Sequence, residues 1–89
     1  MPRIAFSQNI RSHVDVDSIE VAGDTVMAAM ESVFAIHPRL KSYLFDDDGT
    51  VRKHIAFVVN SEPVEDREKL SDAVGSEDEV FVMQALSGG

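Results

Sequence analysis

The sequence closes on Ser87-Gly88-Gly89, and these residues have the plainest chemical use in the chain. At a Gly usage near 7%, two glycines in the last two positions arise by chance about 0.5% of the time. A bland flexible end has no reason to follow directly on a well-patterned apolar segment, as this pair does after Glu79-Val80-Phe81-Val82-Met83. Glycine has no Cβ, so the pair can thread a narrow channel and take any φ. Extended, the stretch from Ala85 to Gly89 reaches about 16 Å. What such a tail offers another protein's active site is its own α-carboxylate.

The remaining candidates are weaker. His13 stands near Asp15 and Asp17, and H-x-D-x-D can bind a metal. A catalytic zinc site, however, uses three protein ligands on rigid elements, and a polar loop does not supply them. His37 precedes Pro38 at the end of a helical pattern and reads as a partial core residue that a helix C-terminus would favour if charged. His54 opens a strand without an evident partner. Asp46-Asp47-Asp48-Gly49 invites a calcium test. An EF-hand alignment puts Leu44 at the first loop position and Ile55 at the twelfth, where carboxylates are required. A tight turn with Gly49 at positive φ fits better. There is no Gly-rich phosphate loop and no Ser-centred nucleophile elbow. No catalytic residue and no metal site are assigned within the body of the chain.

Composition sets the limits around these sites. The 89 residues allow one domain and one core, not a deep cleft between subdomains. With no Cys there is no disulfide, thiolate nucleophile or Cys-based zinc site, which suits a reducing cytosol, and a cytoplasmic location is expected. Met1 to Ser7 has no signal-like apolar core, and no window approaches the ~18 apolar residues of a membrane span. A net charge of −8 disfavours nucleic acid. Half of the sixteen carboxylates lie in residues 60–79, with only Arg67 and Lys69 to offset them. That segment is a solvated connection or a docking surface for a basic partner.

The elements that must position the tail follow from periodicity. Ile4 and Phe6 alternate with polar or small neighbours, as do Ile19 and Val21, so two antiparallel strands are expected around a loop from Asn9 to Asp17. Asp24 is expected to cap a helix whose apolar stripe is Val26, Met30, Val33, Phe34 and His37. Pro38 stops it, and Leu40, Tyr43 and Leu44 give one further short turn. After the Asp46–Thr50 turn a strand runs from Lys53 to Val59, with Ile55, Phe57 and Val59 inward and His54, Ala56 and Val58 on the other face. Asn60-Ser61-Glu62-Pro63 turns the chain, and Leu70 and Val74 anchor the acidic segment. Glu79 to Met83 is the last strand. The expected class is α+β: a mixed sheet of four to five strands with one main helix packed across it. The first and last strands should lie side by side in its middle. Residues 1–84 form the domain and 85–89 a flexible tail.

Several segments, in order, carry a family likeness. These are Gly23-Asp24-Thr25-Val26 at the helix entry, Phe57-Val58-Val59-Asn60 before the long loop, Asp78-Glu79-Val80-Phe81-Val82, and Ser87-Gly88-Gly89. Through them the chain resembles, over essentially its whole length, the ubiquitin-like β-grasp sulfur carriers. These include the small subunit of molybdopterin synthase and the thiamine-biosynthesis sulfur carrier. Met83-Gln84-Ala85-Leu86 stands where the molybdopterin synthase subunit has prolines. The resemblance implies a carrier, not an enzyme. An E1-like adenylyltransferase would use ATP to activate Gly89, with Gly88 giving access. A sulfur donor would then leave a thiocarboxylate for a sulfur-accepting biosynthetic enzyme. No permanently bound cofactor, nucleic acid or membrane is implied. Phe81 and Met83, on the sheet face beside Ala56, and Leu86 in the tail are the candidates for partner docking; burial under a loop or in a homodimer is the other reading of that face. A ubiquitin-like modifier joined through Gly89 to lysines, and a plain β-grasp interaction domain, are the alternative functions.

Overall fold

The computed structural model describes residues 1–85; Leu86, Gly88 and Gly89, named above as site residues, lie outside this range. The first strand, β1 (Arg3–Phe6), buries Ile4 and Phe6 on one face. Helix α1 (Gln8–His13) then leads to β2 (Ile19–Glu20), which returns antiparallel to β1. Helices α2 (Val26–Ile36) and α3 (Pro38–Leu44) follow. Strands β3 (Ile55–Val59), β4 (Glu62–Pro63) and β5 (Glu79–Gln84) complete the sheet. The strand order is β2-β1-β5-β3-β4. As expected, the first and last strands are neighbours, and they run parallel with Ile4 opposite Val80 and Phe6 opposite Val82.

Register explains the core. Strand side chains alternate between faces, so Ile4, Phe6, Ile55, Phe57, Val80 and Val82 all point to the helix side and are buried. Helix α2 adds Val26, Ala29, Met30, Val33 and Phe34 to the same cluster. Phe45 joins helix to sheet. Its ring meets Phe34 edge-on at 5.7 Å and lies 6.4 Å from Phe57, distances at which aromatic pairs attract beyond simple burial.

Four local expectations are corrected. The stretch from Asn9 to Asp17 is not all loop, because Gln8–His13 is helical. Ile10 is fully buried and fastens that turn to the core, with Val14 packed beside it. The α2 cap is Thr25 rather than Asp24: Thr25 Oγ1 accepts from Ala28 N–H at 3.1 Å. Asp24 instead offers its backbone carbonyl to Val74 N–H at 3.0 Å. The short turn after Pro38 is a seven-residue helix, with Pro38 in its first turn, where a missing N–H costs nothing. Finally, β3 starts at Ile55 rather than Lys53. The Arg67 guanidinium donates to the carbonyls of Arg52, Lys53 and Ile55 and holds that approach.

The acidic segment caps its own turns. Asp66 accepts from Lys69 N–H at 3.0 Å and from the Ser71 hydroxyl at 2.5 Å. Asp72 accepts from the N–H groups of Glu65 and Asp66. Asp78 accepts from Gly75 N–H at 2.7 Å and from Asn60 Nδ2 at 2.8 Å. Leu70, fully buried, and Val74 are the anchors expected from the sequence.

These caps set an acid limit on stability. The Ser71 hydroxyl, then the Lys69 N–H, hold Asp66 below its ordinary value of 3.8. The Gly75 N–H, then Asn60, do the same for Asp78. A carboxyl lowered on folding stabilises the fold fully above its unfolded value and loses that contribution as pH falls through the folded value. Melting temperature should therefore decline as pH drops below about 4. Asp66→Asn and Asp78→Asn should each flatten that decline; an equally steep acid limb in both variants would contradict the assignment.

Candidate functional site

The end of β5 is built from three sides. β1 accompanies β5 as far as Val82, whose carbonyl accepts from Ser7 N–H at 2.9 Å. The chain then turns into α1, so Gln84 N–H finds Ser7 Oγ, at 3.2 Å, in place of a ladder carbonyl. On the other side, Ile55 pairs with Gln84, and Ala85 N–H donates to His54 O at 2.8 Å. Above it, the Tyr43 hydroxyl of α3 donates to Gln84 Oε1. The segment leading to Gly88-Gly89 thus leaves from a central strand of the sheet.

The face of the sheet away from the helices carries the other candidates. Ala56 stands opposite Met83, Val58 opposite Phe81, and Ala5 opposite Phe81 on the far side. The structure therefore brings Phe81, Met83 and Ala56 together as one apolar patch. Met83 is 36% exposed, and Phe81 and Ala56 are half-buried. None of the three belongs to the core cluster or to the hydrophobic residues packed against it. Ala5 belongs to this patch, and the sequence reading missed it; its alternation with Ile4 and Phe6 was the available signal.

The other chemical candidates do not converge. Among the described residues no three His, Asp or Glu side chains are grouped to hold a metal. His13 is exposed, its Nδ1 bonded to Asn9 O at 2.9 Å and its ring stacked on Tyr43 with 5.5 Å between centroids. Asp48 accepts from the Thr50 hydroxyl at 2.7 Å and the Thr50 N–H at 3.1 Å, which lowers its pKa. Gly49 takes φ +88°. Asp46–Thr50 is a turn, as its composition indicated. His37 is half-buried at the junction of α2 and α3. Among the described residues no helix is long and apolar enough to cross a membrane.

A mixed sheet with parallel first and last strands at its centre and a helix across it is the β-grasp arrangement. Comparison with known proteins places the chain within that class. The ThiS family profile matches residues 5–89. Small archaeal modifier protein 1 of Haloferax volcanii is 33% identical over 89 residues, covering 100% of this chain and 91% of that protein. The crystal structure of that modifier superposes with a TM-score of 0.80, at 27% identity over the aligned structures, covering 99% of this chain and 98% of the other. CysO, crystallised with BexX from Amycolatopsis orientalis, shares the fold with a TM-score of 0.82 at 24% identity, each chain covered in full. The chain belongs to the ThiS family of ubiquitin-like β-grasp sulfur carriers.

Proposed function

We propose that this protein carries sulfur as a thiocarboxylate on Gly89. The observation that carries the reading is a sequence that ends in Gly88-Gly89 shortly after β5, the strand at the centre of a β-grasp sheet. Family membership extending to residue 89 supports it.

An oxygen of the Gly89 carboxylate attacks the α-phosphorus of ATP in the active site of an E1-like adenylyltransferase. Pyrophosphate leaves, and an acyl-adenylate forms. A sulfur donor at the hydrosulfide level then attacks the carbonyl carbon, the bond to the AMP oxygen breaks, and a thiocarboxylate remains. That anion is a soft nucleophile, ready for a sulfur-accepting biosynthetic enzyme in the cytoplasm. The partners supply the catalytic groups. The carrier supplies a folded handle, with Phe81, Met83, Ala56 and Leu86 as the surface that seats it and Gly88 as the slim approach to the reacting end.

ATP–pyrophosphate exchange tests the first step. Purified chain added to an extract of its native host should produce exchange that requires the chain. An extract whose exchange is indifferent to the chain would contradict the adenylation step.

A further inference from the structure

Gln84 is an odd residue for its place. By alternation it falls on the helix side of β5, with Val80 and Val82, not on the outer face with Phe81 and Met83. Packing alone would favour an apolar side chain there. The position is half-buried, and the reason for an amide lies in α3, where the Tyr43 hydroxyl, 41 residues earlier, donates to its Oε1. Tyr43 is itself braced, since the His13 ring stacks on it with an interplanar angle of 26° and is tied back to α1 through Asn9 O.

This contact sits where the sheet runs out of support. β1 has already left the ladder at Phe6, and only a hydroxyl, Ser7 Oγ, remains to hold Gln84 N–H on that side. β3 supplies Ile55 and then His54 O. Tyr43 of α3, the α1 cap residue Ser7 and β3 therefore converge directly on the last strand residue.

We propose that Tyr43 is a positioning residue: through Gln84 it pins the end of β5 and so fixes the point and direction from which the C-terminal segment departs. This rests on the reading that Gly89 is the reacting end. The carboxylate must arrive in a partner's active site from a defined origin. A residue released at the root must be ordered again on docking, and fixing one residue's backbone lowers productive encounters by about tenfold. Tyr43 touches no reacting atom, and its effect passes entirely through Gln84.

The test uses Tyr43→Phe, which keeps the ring and its stacking on His13 and removes only the hydroxyl. Gln84→Leu, which removes the acceptor, is the second variant. Residue-resolved amide hydrogen exchange, corrected for intrinsic rates, should show the amides at positions 84 and 85 exchanging about tenfold faster in both, with Val80 and Val82 unchanged. A merely stabilising role would instead accelerate all of β5 together through global opening. Unchanged exchange at Gln84 and Ala85, or equal acceleration throughout the strand, would overturn the proposal. The functional arm is the initial rate of sulfur loading in an extract of the native host, expected to fall about tenfold in each variant. If the wild type loads and both variants load equally fast, the positioning role fails. If the wild type does not load at all, the sulfur-carrier reading fails, and the exchange measurement still decides whether Tyr43 pins the strand end.

Discussion

Removing Gly88 and Gly89 should abolish the proposed sulfur loading and leave the melting temperature unchanged. The two effects separate because chemistry and stability sit in different parts of the chain. Every residue of the core cluster lies between Ile4 and Val82, so the deletion removes no packing that the structure describes. The reacting carboxylate, by contrast, retreats by about 7 Å along an extended chain. A misplacement of only 1 Å can cost about a hundredfold in rate, so loading should drop at least that far, below detection by intact mass. The check is the intact mass of the truncated chain from its native host beside its thermal unfolding curve. Loading that survives the truncation would remove Gly89 from the mechanism.

The largest effect on stability belongs to Gly23, at the entry to α2. Gly23 takes φ +154°, a conformation that side-chain-bearing residues rarely adopt. A Cβ there would lie 2.5 Å from Ala29 N, 2.7 Å from Ala29 Cα and 2.9 Å from Ala28 C. These are backbone atoms of the helix, and they move only if the first turn of α2 moves with them. The same loop is held by the Ser32 hydroxyl, which donates to Ala22 O at 2.8 Å, and by Asp24 O on Val74 N–H. Gly23→Ala should therefore cost about 3 kcal/mol or more, a loss of roughly 12–24 °C in a domain of this size. Gly49→Ala is the control. Gly49 also has positive φ, +88°, but nothing lies within 4 Å of its added Cβ, so only the backbone cost of about 1–2 kcal/mol applies. Thermal unfolding by circular dichroism measures both; a Gly23→Ala melting point equal to that of the wild type would refute the close-contact account.

What could be read from residues alone follows a physical rule. Period-two runs such as Ile55-Ala56-Phe57-Val58-Val59 declare both a strand and its two faces, and the Phe81–Met83–Ala56 patch came out of that alternation. Leu70 and Val74 were legible because an apolar residue inside an acidic segment needs a core to sit in. α1 was not legible as a helix, because six residues with one buried anchor, Ile10, are too short for a 3.6-residue period to repeat. The Thr25 cap was missed for another reason. Asp24 and Thr25 are both good caps, and only the helix geometry decides which oxygen meets the Ala28 N–H. The root of the tail was hidden most completely. Tyr43, Gln84, Ser7 and His54 are scattered through the sequence, and no local pattern brings them together. The terminal glycines are the opposite case: they lie outside the described residues, and the use proposed for them rests on type and position rather than on any neighbour in the fold.

The central claim is that Gly89 carries sulfur. Intact-mass spectrometry of the chain purified under mild conditions from its native host tests it most directly. The account predicts a population heavier by the sulfur–oxygen mass difference, the increment mapping to the peptide that ends in Gly89. An unshifted chain, with Gly-Gly remnants found instead on lysines of other proteins, would contradict it and establish a protein modifier in its place.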